Sequence, residues 1–175
     1  MKFNIKWALL FMLAVVILGK YTYDQFAQPF PTGDTAPDFS LADLDGNSVR
    51  LSDLKGQPLL VHFWATWCPQ CIHELPLLDN FSRRHPEIKV IAVNEDEGDA
   101  DVIAQFFGDT RPGYVVLLDP EGRVADRYKN YKVPETYLLD SNGRFLHRFI
   151  GAVSWNEPAA IEKIEQLLSK TSNNY

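Results

Sequence analysis

The distribution of apolar residues predicts strands alternating with helices along most of the chain. Leu59 to Trp64 is apolar at every position except His62, which indicates a central strand buried on both faces. From Pro69 to Arg84 apolar residues recur at steps of three, as in an amphipathic helix, and Pro76 is expected to kink that helix. Further strands are predicted at 88–93, 114–118, 136–139 and 145–150, and further helices at 101–107 and 157–169. This alternation predicts an α/β domain built in layers.

Two turns that contain glycine predict β-hairpins. Asp45-Gly46-Asn47 separates alternating segments near Phe39 and Leu51, and a second turn runs from Asp140 to Gly143. Asp or Asn followed by Gly is the sequence signal of a tight hairpin turn. We therefore expect one hairpin before the central strand and another late in the domain.

The first 20 residues form a separate segment. Lys2 and Lys6 precede an uncharged apolar run from Trp7 to Leu18, which is the pattern of a secretory signal. The run is shorter than the roughly 20 residues that span a bilayer comfortably, but extension past a snorkelling Lys20 would allow an uncleaved anchor. We expect residues 1–20 to be a signal anchor or a cleaved signal peptide, with a buried helix as the remaining alternative. Residues 21–34 are expected to be a linker, and residues 35–172 the folded domain.

Composition and charge narrow the range of functions. A chain of 175 residues suits one domain plus an extension. Its formal charge of −6, with basic residues scattered along the sequence, gives no electrostatic surface for nucleic acid. Cys68 and Cys71 are the only cysteines. A disulfide across so short a loop removes little entropy from the unfolded chain, so this spacing favours a reversible redox pair over a structural crosslink.

The Cys68-Pro69-Gln70-Cys71 motif joins the predicted central strand to the amphipathic helix. Proline is favoured at the first helical position, which puts Cys68 at the N-cap and Cys71 in the first turn. The unpaired N–H groups and the helix dipole stabilise a thiolate at the N-cap. We therefore expect Cys68 to be the exposed nucleophile and Cys71 the buried resolving thiol.

Metal or haem binding is an alternative interpretation of the same two cysteines. A structural zinc site needs about four ligands, and only His73 lies near in the sequence. Haem attachment requires histidine directly after the second cysteine, where Ile72 stands. A periplasmic copper-binding module using both cysteines and His73 stays open, although the only methionines, Met1 and Met12, lie in the N-terminal segment. We expect no metal and no cofactor.

Taken together, these motifs resemble the thioredoxin superfamily, and within it the TlpA/ResA/CcmG (DsbE) type of membrane-anchored thiol–disulfide oxidoreductase. The resemblance covers about residues 36–168. It rests on Ala-Pro-Asp-Phe at 36–39, Asp45-Gly46, Trp-Ala-Thr-Trp-Cys-Pro-x-Cys at 64–71, the helix proline Pro76, and Val-Pro-Glu-Thr at 133–136. It implies a thioredoxin-like α/β fold, in which a central mixed sheet is flanked by helices and carries an N-terminal β-hairpin extension.

The resemblance also implies roles for residues around the cysteines. Pro134 matches the cis-proline of the family, which lies against the dithiol and orients the Val133 backbone to pair with an extended substrate. Glu74 matches an acidic residue near the cysteines, expected to hold a proton for Cys71 or to temper thiol reactivity, unless it is merely a solvated helix residue. The substrate groove is expected to include Trp64, Trp67, Pro69, Gln70 and Val133, with Thr66 also at its rim.

His62 departs from the family pattern, which has aspartate or asparagine at the matching position. Histidine titrates near neutral pH when it is not perturbed, so a histidine under the dithiol could relay protons. The alternative is a core histidine with satisfied hydrogen bonds.

The function implied by the resemblance is reduction of disulfides outside the cytoplasm. The expected partners are disulfide-containing proteins in the periplasm, with apocytochrome c during maturation as one candidate, and a membrane thiol electron donor that restores the dithiol. The chain itself is expected to be anchored to the inner membrane by its N-terminus. An oxidase that introduces disulfides is the main alternative, but the uncharged Pro69-Gln70 dipeptide and Glu74 favour a reductant. A peroxiredoxin shares the Ala-Pro-Asp-Phe opening but has threonine where Ala65 stands here.

Overall fold

Strands and helices follow one another in the order that the apolar pattern predicts. The structure, a computed structural model, describes residues 5–27, 30, 32–98, 100–108 and 110–172. In chain order its elements are α1 (Ile5–Ala27), β1 (Ser40–Asp43), β2 (Ser48–Arg50), a 3-10 turn (Leu51–Leu54), β3 (Leu59–Trp64), α2 (Pro69–Arg84), β4 (Lys89–Asn94), α3 (Ala100–Phe107), β5 (Val115–Leu118), α4 (Arg123–Arg127), β6 (Glu135–Leu139), β7 (Phe145–Ile150) and α5 (Pro158–Ser172). The central strand β3 and the helix α2 begin and end at the predicted residues.

The chain divides into two compact units, Met1–Pro31 and Thr32–Tyr175. Helix α1 continues to Ala27, because no glycine or proline interrupts residues 21–27. It therefore overlaps the first part of the segment 21–34, which we expected to be a linker. Among the described residues, no helix is long and apolar enough to cross a membrane. Lys2, the first lysine of the predicted signal, lies outside the described residues.

A seven-stranded mixed sheet forms the framework of the second unit, in the order β2-β1-β5-β4-β3-β6-β7. Strands β3, β4 and β5 are parallel, β6 is antiparallel to β3, and β7 is antiparallel to β6. The predicted early hairpin, β1–β2, joins the sheet by antiparallel pairing of β1 with β5. The predicted fold, a central mixed sheet with flanking helices and an N-terminal hairpin, is confirmed.

One apolar core joins the sheet to three helices. Leu60 and Trp64 of β3 belong to the same buried cluster as Leu78 of α2, Ile103 of α3 and Ile164 of α5. Residues of β3 are buried at every position, as a strand covered on both faces requires. Because α2 starts just beyond the carboxyl end of β3, this packing holds the cysteines at the end of the sheet.

Helix α4 is not among the helices that the sequence predicts. Its first turn is stabilised by Asp119, whose carboxylate Oδ2 accepts the backbone N–H groups of Val124 and Ala125, each at 2.9 Å. A side chain that accepts the free N–H groups at a helix start provides the usual cap. Here that side chain lies before Gly122, which occupies the N-cap position itself.

Candidate active site

The two cysteines lie at the N-terminus of α2, in the arrangement that the motif predicts. Cys68 is the N-cap residue, Pro69 occupies the first helical position, and Cys68 and Cys71 form a disulfide. The backbone N–H of Cys71 donates a hydrogen bond to Cys68 Sγ at 3.1 Å. Cys68 keeps 5% of its surface exposed, whereas Cys71 is fully buried. Cys68 is therefore buried too, unlike the exposed nucleophile that the motif predicts, but it is the less buried of the two cysteines. The Cys71 N–H at the helix start points at its sulfur and stabilises negative charge there.

The loop around Pro134 forms a second wall beside the disulfide. The Val133–Pro134 peptide bond is cis, as predicted, and the Val133 carbonyl oxygen lies 3.7 Å from Cys68 Sγ. Val133 is half-buried and Pro134 is buried. The fold therefore brings the cis-proline loop against Cys68 although 65 residues separate Cys68 from Val133 in the sequence.

The residues expected to line the groove divide into two groups. Trp67 is 66% exposed, and Pro69 and Gln70 are exposed as well, so all three are accessible next to Cys68. Trp64 differs from the expectation, because its side chain is fully buried. The ring packs against Phe106 and Phe107 of α3, with centroids 5.5 and 5.7 Å away. Trp64 therefore belongs to the core beside α3 and offers no surface to a substrate.

A carboxylate that sequence analysis did not single out holds the loop before Cys68. Asp96 accepts the backbone N–H and the hydroxyl of Thr66, both at 2.8 Å. Asp96 follows strand β4 in a segment whose sequence indicates only an acidic loop. Its partner lies 30 residues away, so no local spacing could have revealed the contact.

Glu74 is buried on α2, which excludes the interpretation of a solvated helix residue. Its Oε1 accepts the indole N–H of Trp155 at 2.6 Å, while Oε2 has no hydrogen-bond partner among the described residues. Burial raises the pKa of Glu74 to about 7, even though hydrogen bonds from Trp155 and the Val153 backbone favour the charged form. Glu74 therefore has a carboxyl group that exchanges its proton near neutral pH. Trp155 was not anticipated, because it lies 81 residues further along the chain.

His62 is fully buried on β3. Its Nδ1 lies 2.9 Å from the hydroxyl of Thr136, and its Nε2 has no partner among the described residues. Burial lowers the pKa of His62 to about 3, so the imidazole is neutral at physiological pH. The structure thus gives His62 one of the two hydrogen bonds that a fully satisfied core histidine would have.

A further group of carboxylates lies at the carboxyl ends of the central strands. Glu135, directly after Pro134, is buried and forms an ion pair with Arg148 at 2.7 Å. Glu95, directly after β4, accepts a hydrogen bond from the side-chain amide of Asn130. Burial, and after it the neighbouring carboxylates including Glu135, raise the pKa of Glu95 to about 7 against the effect of the Asn130 hydrogen bond. Among the residues that the structure describes, no cluster of histidine, cysteine and carboxylate side chains could hold a metal ion.

Comparisons with known proteins agree with this geometry. The AhpC/TSA family matches residues 32–148. The thiol–disulfide oxidoreductase ResA of Geobacillus thermodenitrificans is 32% identical over 140 residues, which cover 76% of this chain and 79% of the relative. The thioredoxin-like protein YneN of Bacillus subtilis is 33% identical over 139 residues, covering 78% and 81% of the two chains.

Solved structures give the same result. A crystal structure from Chlorobium tepidum, described as a thiol:disulfide interchange protein DsbE, superposes with a TM-score of 0.68 at 31% identity, covering 79% of this chain and 95% of that one. StoA of Bacillus subtilis gives a TM-score of 0.62 at 26% identity, with 76% and 97% covered. The chain therefore belongs to the AhpC/TSA family, and within it is a thioredoxin-like thiol–disulfide oxidoreductase of the ResA/DsbE type.

Proposed function

We propose that this oxidoreductase reduces disulfides in exported proteins, with Cys68 as the nucleophile and Cys71 as the resolving thiol. The observation that carries the proposal is the Cys68–Cys71 disulfide at the N-terminus of α2, with the Val133 carbonyl 3.7 Å from Cys68 Sγ. A substrate disulfide that approaches the site meets the less buried of the two cysteines beside a backbone wall. The Cys71 sulfur stays buried until the resolving step.

The reaction transfers one electron pair in two exchange steps. In the reduced protein the Cys68 thiolate attacks one sulfur of the substrate disulfide, which forms a mixed disulfide and releases the other substrate sulfur as a thiolate. The Cys71 thiol, after losing its proton, attacks Cys68 Sγ. The Cys68–Cys71 disulfide forms and the second substrate sulfur leaves. The substrate gains two electrons and two protons, and the protein is left oxidised.

The charges near the dithiol favour electron flow from this protein to its substrate. The Pro69-Gln70 dipeptide between the cysteines carries no positive charge that would stabilise a thiolate. Glu74 lies in the same helix as Cys71 and carries negative charge above a pH of about 7. A thiolate stabilised less strongly favours the disulfide form, and a protein that favours its own disulfide is a reductant. The disulfide-introducing oxidase is the alternative, and a measured reduction potential distinguishes the two.

Substrate contacts are proposed for the accessible residues around Cys68. Trp67, Pro69 and Gln70 form one side of the groove, and Val133 the other. An extended substrate segment would pair with the backbone at Val133, as strands added to a sheet edge do, and Pro134 shapes the loop that exposes this backbone.

Proton transfer is assigned to Glu74. Its ionised carboxylate accepts the Cys71 proton as the resolving step begins and becomes a carboxylic acid, since a pKa of about 7 suits proton exchange at neutral pH. His62 could pass a proton only as a neutral imidazole, because burial lowers its pKa to about 3. Glu74 is therefore the principal candidate, and His62 is the secondary one.

The proposed setting is the extracytoplasmic face of the cytoplasmic membrane. Residues 1–20 would direct export, with anchoring as one outcome and cleavage as the other, ahead of a linker at 21–34 and the domain at 35–172. Oxidised apocytochrome c is the candidate substrate, and a membrane thiol protein the candidate electron donor. Fractionation of cells that express the full chain, followed by alkaline extraction of the membranes, tests both export and anchoring.

Variants of the two cysteines test the chemistry. With insulin or an oxidised Cys-x-x-Cys-His peptide as substrate, Cys68→Ser is expected to abolish reduction. Cys71→Ser is expected to accumulate a mixed disulfide that a non-reducing gel detects. Full activity in both variants would contradict the proposal. A reduction potential close to that of strong oxidants would reverse the proposed direction and leave the nucleophile unchanged.

A further inference from the structure

Two consecutive carboxylates after strand β4 contact the two loops that enclose the dithiol. Asp96 binds Thr66 in the loop that leads to Cys68, and Glu95 binds Asn130 in the loop that leads to Val133. We propose that Glu95 and Asp96 are positioning residues that together set the width of the substrate groove. This inference rests on the proposed function, since it gives the groove a fixed geometry for polypeptide substrates.

The Asp96 contact fixes the loop on the cysteine side. Both hydrogen bonds from Thr66 reach the same carboxylate at 2.8 Å, and Thr66 is two residues before Cys68. Asp96 is in turn held by Asn94, whose side-chain amide donates to Oδ2 at 2.5 Å and whose side-chain oxygen accepts the Asp96 N–H at 3.1 Å. Asn94 is buried at the end of β4. The position of Thr66 is thereby tied to the rigid central sheet.

The Glu95 contact fixes the loop on the proline side. The Glu95 backbone N–H donates to the Trp64 carbonyl at 2.9 Å, so the backbone of Glu95 is also tied to the sheet. Asn130, which donates to the Glu95 carboxylate, is buried and lies three residues before Val133. Lys129, just before it, has a left-handed backbone with φ of 51°, a conformation that costs a residue other than glycine about 1 kcal/mol or more. A loop that contains such a residue needs side-chain contacts to hold it in place.

The electrostatic surroundings of Glu95 indicate that this residue does not serve to stabilise the folded protein. Burial raises the pKa of Glu95, the Asn130 hydrogen bond lowers it, and the carboxylates of Asp119, Glu135 and Asp126 raise it, with a net value of about 7. Of these, Glu135 is paired with Arg148. A partly buried carboxyl beside three others destabilises the folded state when it ionises. A positioning role for the loop before Val133 accounts for its presence.

The experiment compares a polypeptide substrate with a small one. Insulin needs the groove, whereas glutathione disulfide can reach Cys68 Sγ without pairing along the Val133 backbone. Glu95→Ala is expected to raise KM for insulin about tenfold, the effect of losing one hydrogen bond to a charged group, and to leave the rate with glutathione disulfide within about twofold. Asp96→Ala is expected to lower the rate with both substrates, because Thr66 carries the loop that presents Cys68.

Conservative variants distinguish the loss of a positioning contact from a general loss of folding. Glu95→Gln keeps an oxygen that accepts from Asn130, so it should restore KM for insulin, and Asp96→Asn should restore part of the loss. Glu97→Ala removes an exposed carboxylate from the same loop and should behave as wild type. Melting temperatures of all variants establish that they are folded. If Glu95→Ala is unfolded, Asn130→Ala removes the same hydrogen bond from the other side.

The possible results distinguish a failure of the positioning role from a failure of the proposed function. Unchanged KM for insulin in Glu95→Ala, or equal losses with insulin and glutathione disulfide in a folded Glu95→Ala protein, would overturn the positioning role. A failure of the proposed function looks different, because Cys68→Ser would then retain insulin reduction. Loss of activity in Cys68→Ser together with wild-type behaviour in the Glu95 and Asp96 variants would leave the proposed function intact and refute this inference alone.

Discussion

Replacing Glu74 with glutamine is expected to stabilise the oxidised protein at alkaline pH and to change little at acidic pH. Burial raises the pKa of Glu74 from its ordinary value of 4.5 to about 7, against the hydrogen bonds from Trp155 and Val153. This difference corresponds to about 3 kcal/mol of unfolding free energy, at about 1.4 kcal/mol for each tenfold change in proton affinity. Glutamine has nearly the same shape and still accepts the Trp155 N–H. The substitution therefore removes the ionisation and little else.

The sign follows from the proton affinities of Glu74 in the folded and unfolded chains. The folded protein binds the Glu74 proton more tightly than the unfolded chain, so Glu74 makes stability fall as pH rises. The loss begins near pH 4.5, the ordinary pKa, and is complete a little above pH 7. Glu95, whose pKa is also about 7, contributes a slope of the same sign. The difference between wild type and Glu74→Gln isolates the contribution of Glu74.

Urea unfolding of the oxidised protein at several pH values measures this difference. The free energies of unfolding should agree near pH 4 and diverge by up to about 3 kcal/mol near pH 8, with Glu74→Gln the more stable. Glu165→Gln, which changes an exposed glutamate on α5, is the matched control and should follow wild type throughout. Parallel curves for wild type and Glu74→Gln over the whole range would refute the reasoning.

Three further predictions concern buried polar groups. Trp155→Phe removes the indole N–H that favours ionised Glu74, so a carbon-detected NMR titration should give Glu74 a higher pKa than in wild type. Arg148→Met leaves the buried Glu135 charge without its ion-pair partner and should cost about 3 kcal/mol in urea unfolding. The double variant with Glu135→Gln should recover part of that loss, and equal stability of Arg148→Met and wild type would contradict the argument. His62 should show no imidazole titration by NMR between about pH 5 and pH 8, because burial lowers its pKa to about 3.

The framework could be predicted because its signals are local. Strand β3 is a continuous apolar run, and α2 has proline at its first position and apolar residues at helical spacing, so both were located to the residue. Helix α4 escaped prediction because it has only five residues and its capping side chain, Asp119, lies outside it. The extension of α1 to Ala27 was missed because apolarity, which marked the segment, ends before the helix does.

The candidate site could be predicted only in its chemical centre. The spacing of Cys68 and Cys71 indicates their pairing directly, and the resemblance identified Pro134. Trp64 is buried against Phe106 and Phe107. The pKa of Glu74 is set by its burial and by its hydrogen bond with Trp155. Contacts of this kind come from segments tens of residues apart, which a periodic pattern along one segment does not reveal.

The two outer strands of the sheet are poorly suited to pairing with another chain. Strand β2 has only three residues and ends at Arg50, which pairs with Asp38 at 2.9 Å. The start of strand β7 is already covered, because Gly33 and Asp34 exchange backbone hydrogen bonds with Phe145, and the register of its pairing with β6 shifts near Leu139. Short, charged and irregular edges discourage edge-to-edge aggregation. Under the proposed function, these edges would leave pairing with an extended substrate to the loop at Val133, beside the sulfur that reacts.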